Sequence, residues 1–231
     1  PKLGTILPGI TRDSVMQIVR DEGYEIVEKD ISEAKFVVNG AGASAISCTR
    51  IYVSLGAKKE NIFMYDSKGL IHPNRDNLTG KKPEFVNGNM PADTSLTEIL
   101  KGADVFIGLS RGNVLNKEMV KGMAKNPIIF AMANPTPEIS YEDAKEARPD
   151  CIMATGRSDY PNQVNNVLAF PGIFKGALEI RASKITDKMK IAAAEALASS
   201  LKPTTEKILP LALEKKVADI IAKAVKKYYK K

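Results

Sequence analysis

Residues 36–45 read Phe-Val-Val-Asn-Gly-Ala-Gly-Ala-Ser-Ala, and this stretch decides the fold. A short apolar run ends at Asn39, and the pattern Gly40-x-Gly42-x-x-Ala45 follows, after which residues at helical spacing begin. The pattern is typical of a parallel strand that turns directly into a helix, where the backbone N–H groups at the helix start can face a pyrophosphate. An ordinary turn between a strand and a helix is the alternative, because glycines also serve tight turns.

An acidic residue follows the next apolar run of the sequence. Residues 62–65 are Ile-Phe-Met-Tyr, and Asp66 comes directly after them. In a dinucleotide-binding unit, an acid at this distance from the glycines takes the adenosine ribose hydroxyls of NAD. Strand, glycine pattern, helix and acid together predict a cofactor site that contains Gly40, Gly42, Ala43, Ala45 and Asp66.

Strands and helices alternate along the chain without internal repeats. Residues 69–93 are rich in Gly, Pro, Asn and Lys, and we expect mostly loop there. Such alternation predicts an α/β fold, a doubly wound parallel sheet (Rossmann-like) with helices on both faces. The predicted strands are 36–39, 62–65, 105–107, 127–130 and 151–153, and the predicted helices are 11–22, 44–55, 117–124 and 141–147.

The composition is typical of a globular protein. The 231 residues are 44% hydrophobic and 26% charged. Two cysteines, Cys48 and Cys151, fall in a predicted helix and a predicted strand rather than in a disulfide framework. The sequence shows neither a charged-then-apolar leader nor an apolar stretch long enough to span a bilayer. These features predict a cytoplasmic location and no membrane partner.

The C-terminal residues 214–231 contribute much of the net charge of +7. Val217, Ile220, Ile221 and Val225 fall near one face of a helix whose other faces carry lysines. This pattern favours a basic helical extension that docks on the preceding domain, and it disfavours a nucleic-acid partner, because no arginine-rich stripe with interleaved aromatic residues occurs.

Polar side chains follow the later strands of the predicted sheet. Ser110 follows the third strand, Asn134 the fourth, and Asn165 and Asn166 the fifth. Because ligands bind outside the carboxyl ends of parallel strands, these side chains are candidates to hold a nicotinamide carboxamide or a substrate carboxylate. A turn at Asn134-Pro135 and helix capping by the asparagine pair are the alternatives.

From residue 31 to residue 213 the chain resembles the C-terminal, cofactor-binding domain of malic enzymes, particularly the bacterial type. The resemblance rests on residues 37–43, Asp66-Ser67-Lys68-Gly69, residues 102–110, Ala133-Asn134-Pro135-Thr136-Pro137-Glu138 and the long string 154–172.

The resemblance implies a cofactor, a reaction and site residues. In the family, NAD or NADP accepts hydride from C2 of L-malate, and Mg or Mn assists the decarboxylation that gives pyruvate. By resemblance, Asn134 and Asn166 would contact malate, pyruvate or nicotinamide, and Ser110 would join the cofactor site. Lys68 could meet a 2′-phosphate, so NADP remains an alternative to NAD. A homo-oligomer is a further expectation.

Residues 1–30 resemble instead a fragment of a branched-chain aminotransferase. The helix-start loop that holds a phosphate in that family is similar to residues 4–15, which makes Gly9, Ile10 and Thr11 candidates for anion binding. The two resemblances together suggest an engineered or recombined chimera, and a natural homologue with a diverged N-terminus is the alternative.

The sequence supplies no convincing catalytic or metal-binding set. The family's general-acid Tyr, general-base Lys and metal ligands find no match, so we expect dinucleotide binding without turnover unless a substrate domain acts in trans. Asp159 and Glu138 lie in predicted loops, too few for a metal, and His72 is expected at the surface. Lys175 and Tyr160 are expected in structural roles.

Overall fold

The computed structural model describes residues 30–211 and 214–228. The chain divides into two compact units, residues 1–152 and residues 153–231. The predicted helix at 11–22 and the predicted anion site at Gly9, Ile10 and Thr11 lie outside the described residues. None of the helices in the described part has the length and apolar character needed to span a bilayer.

The strands form a six-stranded sheet in the order β3-β2-β1-β4-β5-β6, of which β1 to β5 lie in the first unit. Strand β1 pairs in parallel with β2 on one side and with β4 on the other, and β4 pairs in parallel with β5. The strand order therefore reverses direction at β1, where an open α/β sheet forms its ligand crevice. The strands are β1 (Phe36–Asn39), β2 (Ile62–Asp66), β3 (Gly69–Leu70), β4 (Val105–Gly108), β5 (Ile128–Ala131) and β6 (Ile152–Thr155).

Four helices connect these strands, together with two 3-10 turns at Lys59–Asn61 and Lys82–Phe85. Buried side chains such as Val38, Met64 and Ile107 form the core beneath the first helix. Apart from the end residues Asn39, Asp66 and Thr155, the strands are apolar, as is typical of parallel sheets that are buried on both faces. The helices are α1 (Ala43–Ser54), α2 (Leu96–Leu100), α3 (Lys117–Lys121) and α4 (Tyr141–Ala147).

The predicted doubly wound fold is confirmed, with two additions. Strand β3 runs antiparallel to β2, whereas the sequence predicted only parallel strands. Helix α2 lies within a stretch where no helix was predicted, and Ser95 and Glu98 begin it with a reciprocal capping box. Both elements are too short to show a clear hydrophobic period.

Three helices form the second unit: α5 (Phe170–Glu179), α6 (Asp187–Ala198) and α7 (Lys215–Lys227). On α7, Val217, Ile221 and Val225 are buried in a cluster with residues of α5 and α6, as expected for a docking helix. The prediction for Ile220 is wrong, because its side chain is 41% exposed. It precedes Ile221 by one position and so points about 100° away around the helix.

Helices α5 and α7 pack closely because α5 presents glycines at the contact. A Cβ on Gly172 would lie 2.6 Å from Cβ of Ile221 and 2.7 Å from the carbonyl oxygen of Ala218. We expect Gly172→Val to lower the free energy of unfolding by about 2–3 kcal/mol, since the added methyl groups must push α7 away. Urea denaturation followed by circular dichroism measures this loss.

The matched control for that substitution is Gly156→Val, because no heavy atom lies within 4 Å of a Cβ built at Gly156. We expect the control to unfold within about 0.5 kcal/mol of the wild type. Equal destabilisation by the two substitutions would contradict the close packing of α5 on α7.

Candidate functional site

A large open pocket lies in the first unit at the carboxyl ends of β1, β2 and β4. Its volume is 1150 Å³, enough for a ligand larger than most drug-sized molecules. The lining includes both loops predicted from the sequence to hold a dinucleotide, the glycine turn after β1 and the segment after β2. The lining residues are Asn39–Gly42, Tyr65–Gly69, Lys82, Ala92–Leu96, Leu109–Val114 and Met119.

The glycine turn brings backbone close to backbone at the start of α1. Gly40 has φ +132°, and a Cβ there would lie 2.6 Å from the carbonyl oxygen of Leu109. Its N–H donates to the carbonyl oxygen of Tyr65 over 2.9 Å, which ties the turn to the end of β2. Only glycine fits this position, because φ is positive and the neighbouring loop leaves no room for a side chain.

Helix α1 begins at this turn with its N-terminal donors uncapped. Gly42 is the N-cap residue, no side chain caps the helix, and the first turn carries no acidic residue. A Cβ built at Gly42 meets no atom within 4 Å, so the space in front of the helix start is open. The first N–H groups of a helix have no partner within it, and here the N-cap residue Gly42 lines the pocket. The arrangement fits the pyrophosphate of a dinucleotide.

Two of the predicted cofactor residues lie beside this turn without lining the pocket. Ala43 is exposed in the first turn of α1, and Ala45 is completely buried in the core under the helix. The assignment of Ala45 to the cofactor site stays a prediction. Its burial fits the third position of the motif, where a small residue lets the helix pack closely on the strand.

Asp66 lies at the end of β2, where the sequence predicted it, but its carboxylate is already occupied. Arg75 donates to both carboxylate oxygens over 3.0 and 3.1 Å, and Lys82 donates over 2.7 Å. The backbone N–H of Lys68 donates a fourth hydrogen bond over 2.9 Å. Two bonds on each oxygen use all the acceptor sites that a carboxylate has.

The charges around Asp66 explain its acidity. Burial alone would raise the pKa of Asp66, but the hydrogen bonds from Arg75 and Lys82 outweigh burial and lower the pKa to about 2. The carboxylate is 9% exposed, Arg75 is 12% exposed and Lys82 is 26% exposed. Two cations face one anion in this cluster, which therefore carries a net positive charge beside the pocket.

Sequence reasoning identified Asp66 and Lys68 and missed Arg75 and Lys82. These two residues lie in the stretch 69–93, which was predicted to be mostly loop. Arg75 also donates to the carbonyl oxygens of Gly69 and Leu70, so it fastens the short strand β3 to the cluster. The sequence shows that both residues are basic, but it does not show that the loop folds back and brings them to Asp66.

Ser110 lines the pocket on the opposite side of β1. Its hydroxyl accepts a hydrogen bond from the side chain of Asn39 over 2.7 Å, and its backbone N–H donates to the carboxylate of Glu138 over 3.2 Å. Asn134 is exposed after β5 and is not among the residues that line the pocket. The structure thus joins Gly40, Gly42, Asp66 and Ser110 in one pocket.

The second unit holds the other predicted substrate-binding residues. Asn165 precedes the 3-10 turn Asn166–Leu168, and its side chain accepts the N–H of Val167 over 3.1 Å. This is the capping role considered as the alternative for the pair. Asn166 is exposed, and its side chain is available to a ligand of this unit.

The remaining titratable candidates have structural partners. His72 is buried, and its Nδ1 accepts the N–H of Asn74 over 3.1 Å, so the expectation of a surface histidine is wrong. Lys175 on α5 donates to Asp219 over 2.6 Å, which raises the pKa of the lysine. Asp159 pairs with Arg157, whose guanidinium lies over the Tyr160 ring. Within residues 30–211 and 214–228, no group of three or more His, Cys, Asp or Glu side chains is placed to hold a metal.

The chain matches a known protein family over most of its length. The family model described as "Malic enzyme, NAD binding domain" matches residues 21–230. The chain belongs to this family. The match extends beyond the range 31–213 at both ends, and so includes residues 21–30 and the C-terminal helix. It gives no support to a chimera.

Curated relatives show the same assignment. The chain is 51% identical over 177 residues to the NADP-dependent malic enzyme of Salmonella typhimurium, covering 76% of this chain and 23% of that protein. It is 48% identical over 206 residues to the bifunctional malic/malolactic enzyme of Bacillus subtilis, covering 86% of this chain and 49% of that protein. An NAD-dependent malic enzyme of Rhizobium meliloti is 49% identical over 176 residues, covering 76% of this chain and 23% of that protein. The chain thus spans half or less of these relatives.

Solved structures agree with the sequence relatives. The NAD-dependent malic enzyme of Thermotoga maritima superposes with a TM-score of 0.79 at 42% identity, covering 94% of this chain and 55% of that one. The malic enzyme of Pyrococcus horikoshii superposes with a TM-score of 0.81 at 37% identity, covering 94% of this chain and 52% of that one.

Proposed function

We propose that this chain holds the nicotinamide dinucleotide for the oxidative decarboxylation of L-malate, and that it prefers the 2′-phosphorylated cofactor, NADP(H). The pyrophosphate binds at the glycine turn and the start of α1, and the adenosine ribose binds beside the cluster of Asp66, Arg75 and Lys82. The nicotinamide supplies the hydride acceptor for C2 of malate. Relatives of both cofactor types occur, so the preference rests on this chain's own residues.

The observation that supports this preference is the state of Asp66. An acid that selects NAD must accept hydrogen bonds from the ribose hydroxyls. The Asp66 carboxylate already accepts four hydrogen bonds from Arg75, Lys82 and the backbone of Lys68. Lys68 and Lys82 line the pocket, where they offer positive charge to a phosphate on the ribose.

The chemistry beyond cofactor binding needs groups that this pocket does not provide. Hydride transfer from malate needs a base for the hydroxyl proton, and decarboxylation needs a cation near the developing enolate. Among the described residues there is no three-ligand metal group, and the lysine and tyrosine considered from the sequence have structural partners. We propose that a substrate domain supplies these groups and that Asn134 and Asn166 contact the substrate or the nicotinamide. We also propose that the protein forms a homo-oligomer.

Titration of NADPH and NADH fluorescence with this chain tests the proposed function. We expect saturable binding of both cofactors, with NADPH at least about tenfold tighter, since a phosphate gains charge-assisted hydrogen bonds near the cluster. Stronger binding of NADH would overturn the preference and leave the dinucleotide site intact. Absence of both binding events in folded protein would overturn the proposed function itself.

A further inference from the structure

Glu138 is a completely buried acid behind the wall of the pocket. It follows β5, and it is not among the residues that line the pocket. One carboxylate oxygen accepts the N–H of Ser110 over 3.2 Å, and the other accepts the N–H of Ala133 over 3.0 Å. The side chain therefore joins the loop after β4 to the loop after β5.

The end of β4 is shaped to admit this carboxylate. A Cβ on Gly108 would overlap the carboxyl group of Glu138, so a side chain at that position would displace the acid. Two backbone hydrogen bonds continue the junction: the N–H of Asn113 donates to Pro137, and the N–H of Leu115 donates to Glu138, each over 3.0 Å. Glu138 thus lies at the centre of a seam between the two loops.

One side of this seam is the pocket wall formed by residues 109–114. Strand β4 lies on the opposite side of β1 from β2, whose end carries the Asp66 cluster. With the pyrophosphate at the glycine turn, the adenosine extends towards β2, and the nicotinamide half extends towards β4. The wall at 109–114 therefore faces the nicotinamide half.

We propose that Glu138 is a positioning residue that fixes the wall at residues 109–114 for the nicotinamide half of the dinucleotide. The inference rests on the proposed function, because it needs a dinucleotide in this pocket. Burial raises the pKa of Glu138, but the hydrogen bonds from Ala133 and Ser110 oppose that rise. The role requires an acceptor at each of the two carboxylate oxygens. A glutamine has one acceptor oxygen, and an NH2 group replaces the other oxygen, so one buried N–H is left without a partner.

The decisive experiment compares two ligands on Glu138→Gln. NADPH reports on the whole pocket, whereas adenosine 2′,5′-bisphosphate reports on the adenosine side alone. We expect Glu138→Gln to bind NADPH about tenfold more weakly than the wild type and to bind the bisphosphate within about twofold of it, since one charge-assisted hydrogen bond is lost. Glu118→Gln, an exposed change of the same kind on α3, should bind both ligands like the wild type.

Two outcomes would overturn the proposal. Unchanged NADPH binding by folded Glu138→Gln would show that the carboxylate does not position the wall. An equal loss for the two ligands would show a general structural role. If the wild type binds neither ligand, the proposed function fails, and the role proposed for Glu138 fails with it.

Hydrogen exchange of the wild-type chain provides the measurement that needs no variant. If the carboxylate holds the loops, the amides of Ser110 and Ala133 exchange slowly before any nucleotide is added, and NADPH changes them little. Fast exchange of these amides in the free protein would overturn the proposal, including the case in which Glu138→Gln fails to fold.

Discussion

Gly40→Ala is expected to remove dinucleotide binding and to lower the free energy of unfolding by about 3 kcal/mol or more. The backbone at Gly40 has φ +132°, which side chains with L configuration rarely adopt, and the new methyl group would lie 2.6 Å from the carbonyl oxygen of Leu109. To relieve the overlap, the turn must move away from the loop after β4. That movement displaces the N-terminus of α1, where the pyrophosphate is proposed to bind.

Gly69→Ala separates the two causes of this effect. Gly69 has φ +107°, and a Cβ there meets no atom within 4 Å, so this substitution strains the backbone without an overlap. We expect Gly69→Ala to cost about 1–2 kcal/mol in chemical denaturation. If Gly40→Ala costs no more than Gly69→Ala, the close approach of the turn to Leu109 is not a determinant of stability. Wild-type NADPH affinity in Gly40→Ala would contradict the assignment of the turn to the pyrophosphate.

The sequence predicted the centre of this site because its signals are local. A strand, a glycine turn and a helix follow one another within residues 36–54. An apolar run marks the strand, glycines mark the turn, and helical spacing marks the helix. The helix at Tyr141–Ala147 was predicted with the observed bounds for the same reason, since Ser140 caps it and its buried alanines recur at helical spacing.

Other features depend on contacts between distant parts of the chain. Arg75 and Lys82 reach Asp66 only because the intervening loop folds back along β2, and no local pattern encodes that return. Helices α5 and α6 were not predicted. On α5 the buried residues are Gly172, Gly176 and Ala177, whereas its large apolar residues Phe170, Phe174 and Leu178 are exposed, so the apolar spacing does not mark the buried face. The buried residues of α6 include two alanines, which give a weak hydrophobic period. The burial of Glu138 is likewise a tertiary property, since two loops must meet before its carboxylate finds its donors.

Lys82→Gln is expected to weaken NADPH binding by about tenfold to a hundredfold while changing NADH binding less than about threefold. Lys82 lines the pocket and holds its Nζ atom 2.7 Å from Asp66, so a phosphate on the neighbouring ribose can share this donor. Without the lysine, Asp66 retains Arg75 as its partner and the cluster becomes neutral. A neutral cluster no longer attracts the two negative charges that distinguish NADPH from NADH.

Lys81→Gln is the control for the change in net charge. Lys81 is the exposed neighbour of Lys82 and does not line the pocket. The same substitution at Lys81 therefore changes the net charge equally without changing the pocket. Fluorescence titrations at two salt concentrations should show that the loss in Lys82→Gln persists when distant charges are screened, whereas any small effect of Lys81→Gln disappears. Equal losses in the two variants would mean that overall charge, and not the cluster around Asp66, sets the affinity for the 2′-phosphate. Equal losses of NADPH and NADH in Lys82→Gln would instead place this lysine at a part of the cofactor that both share.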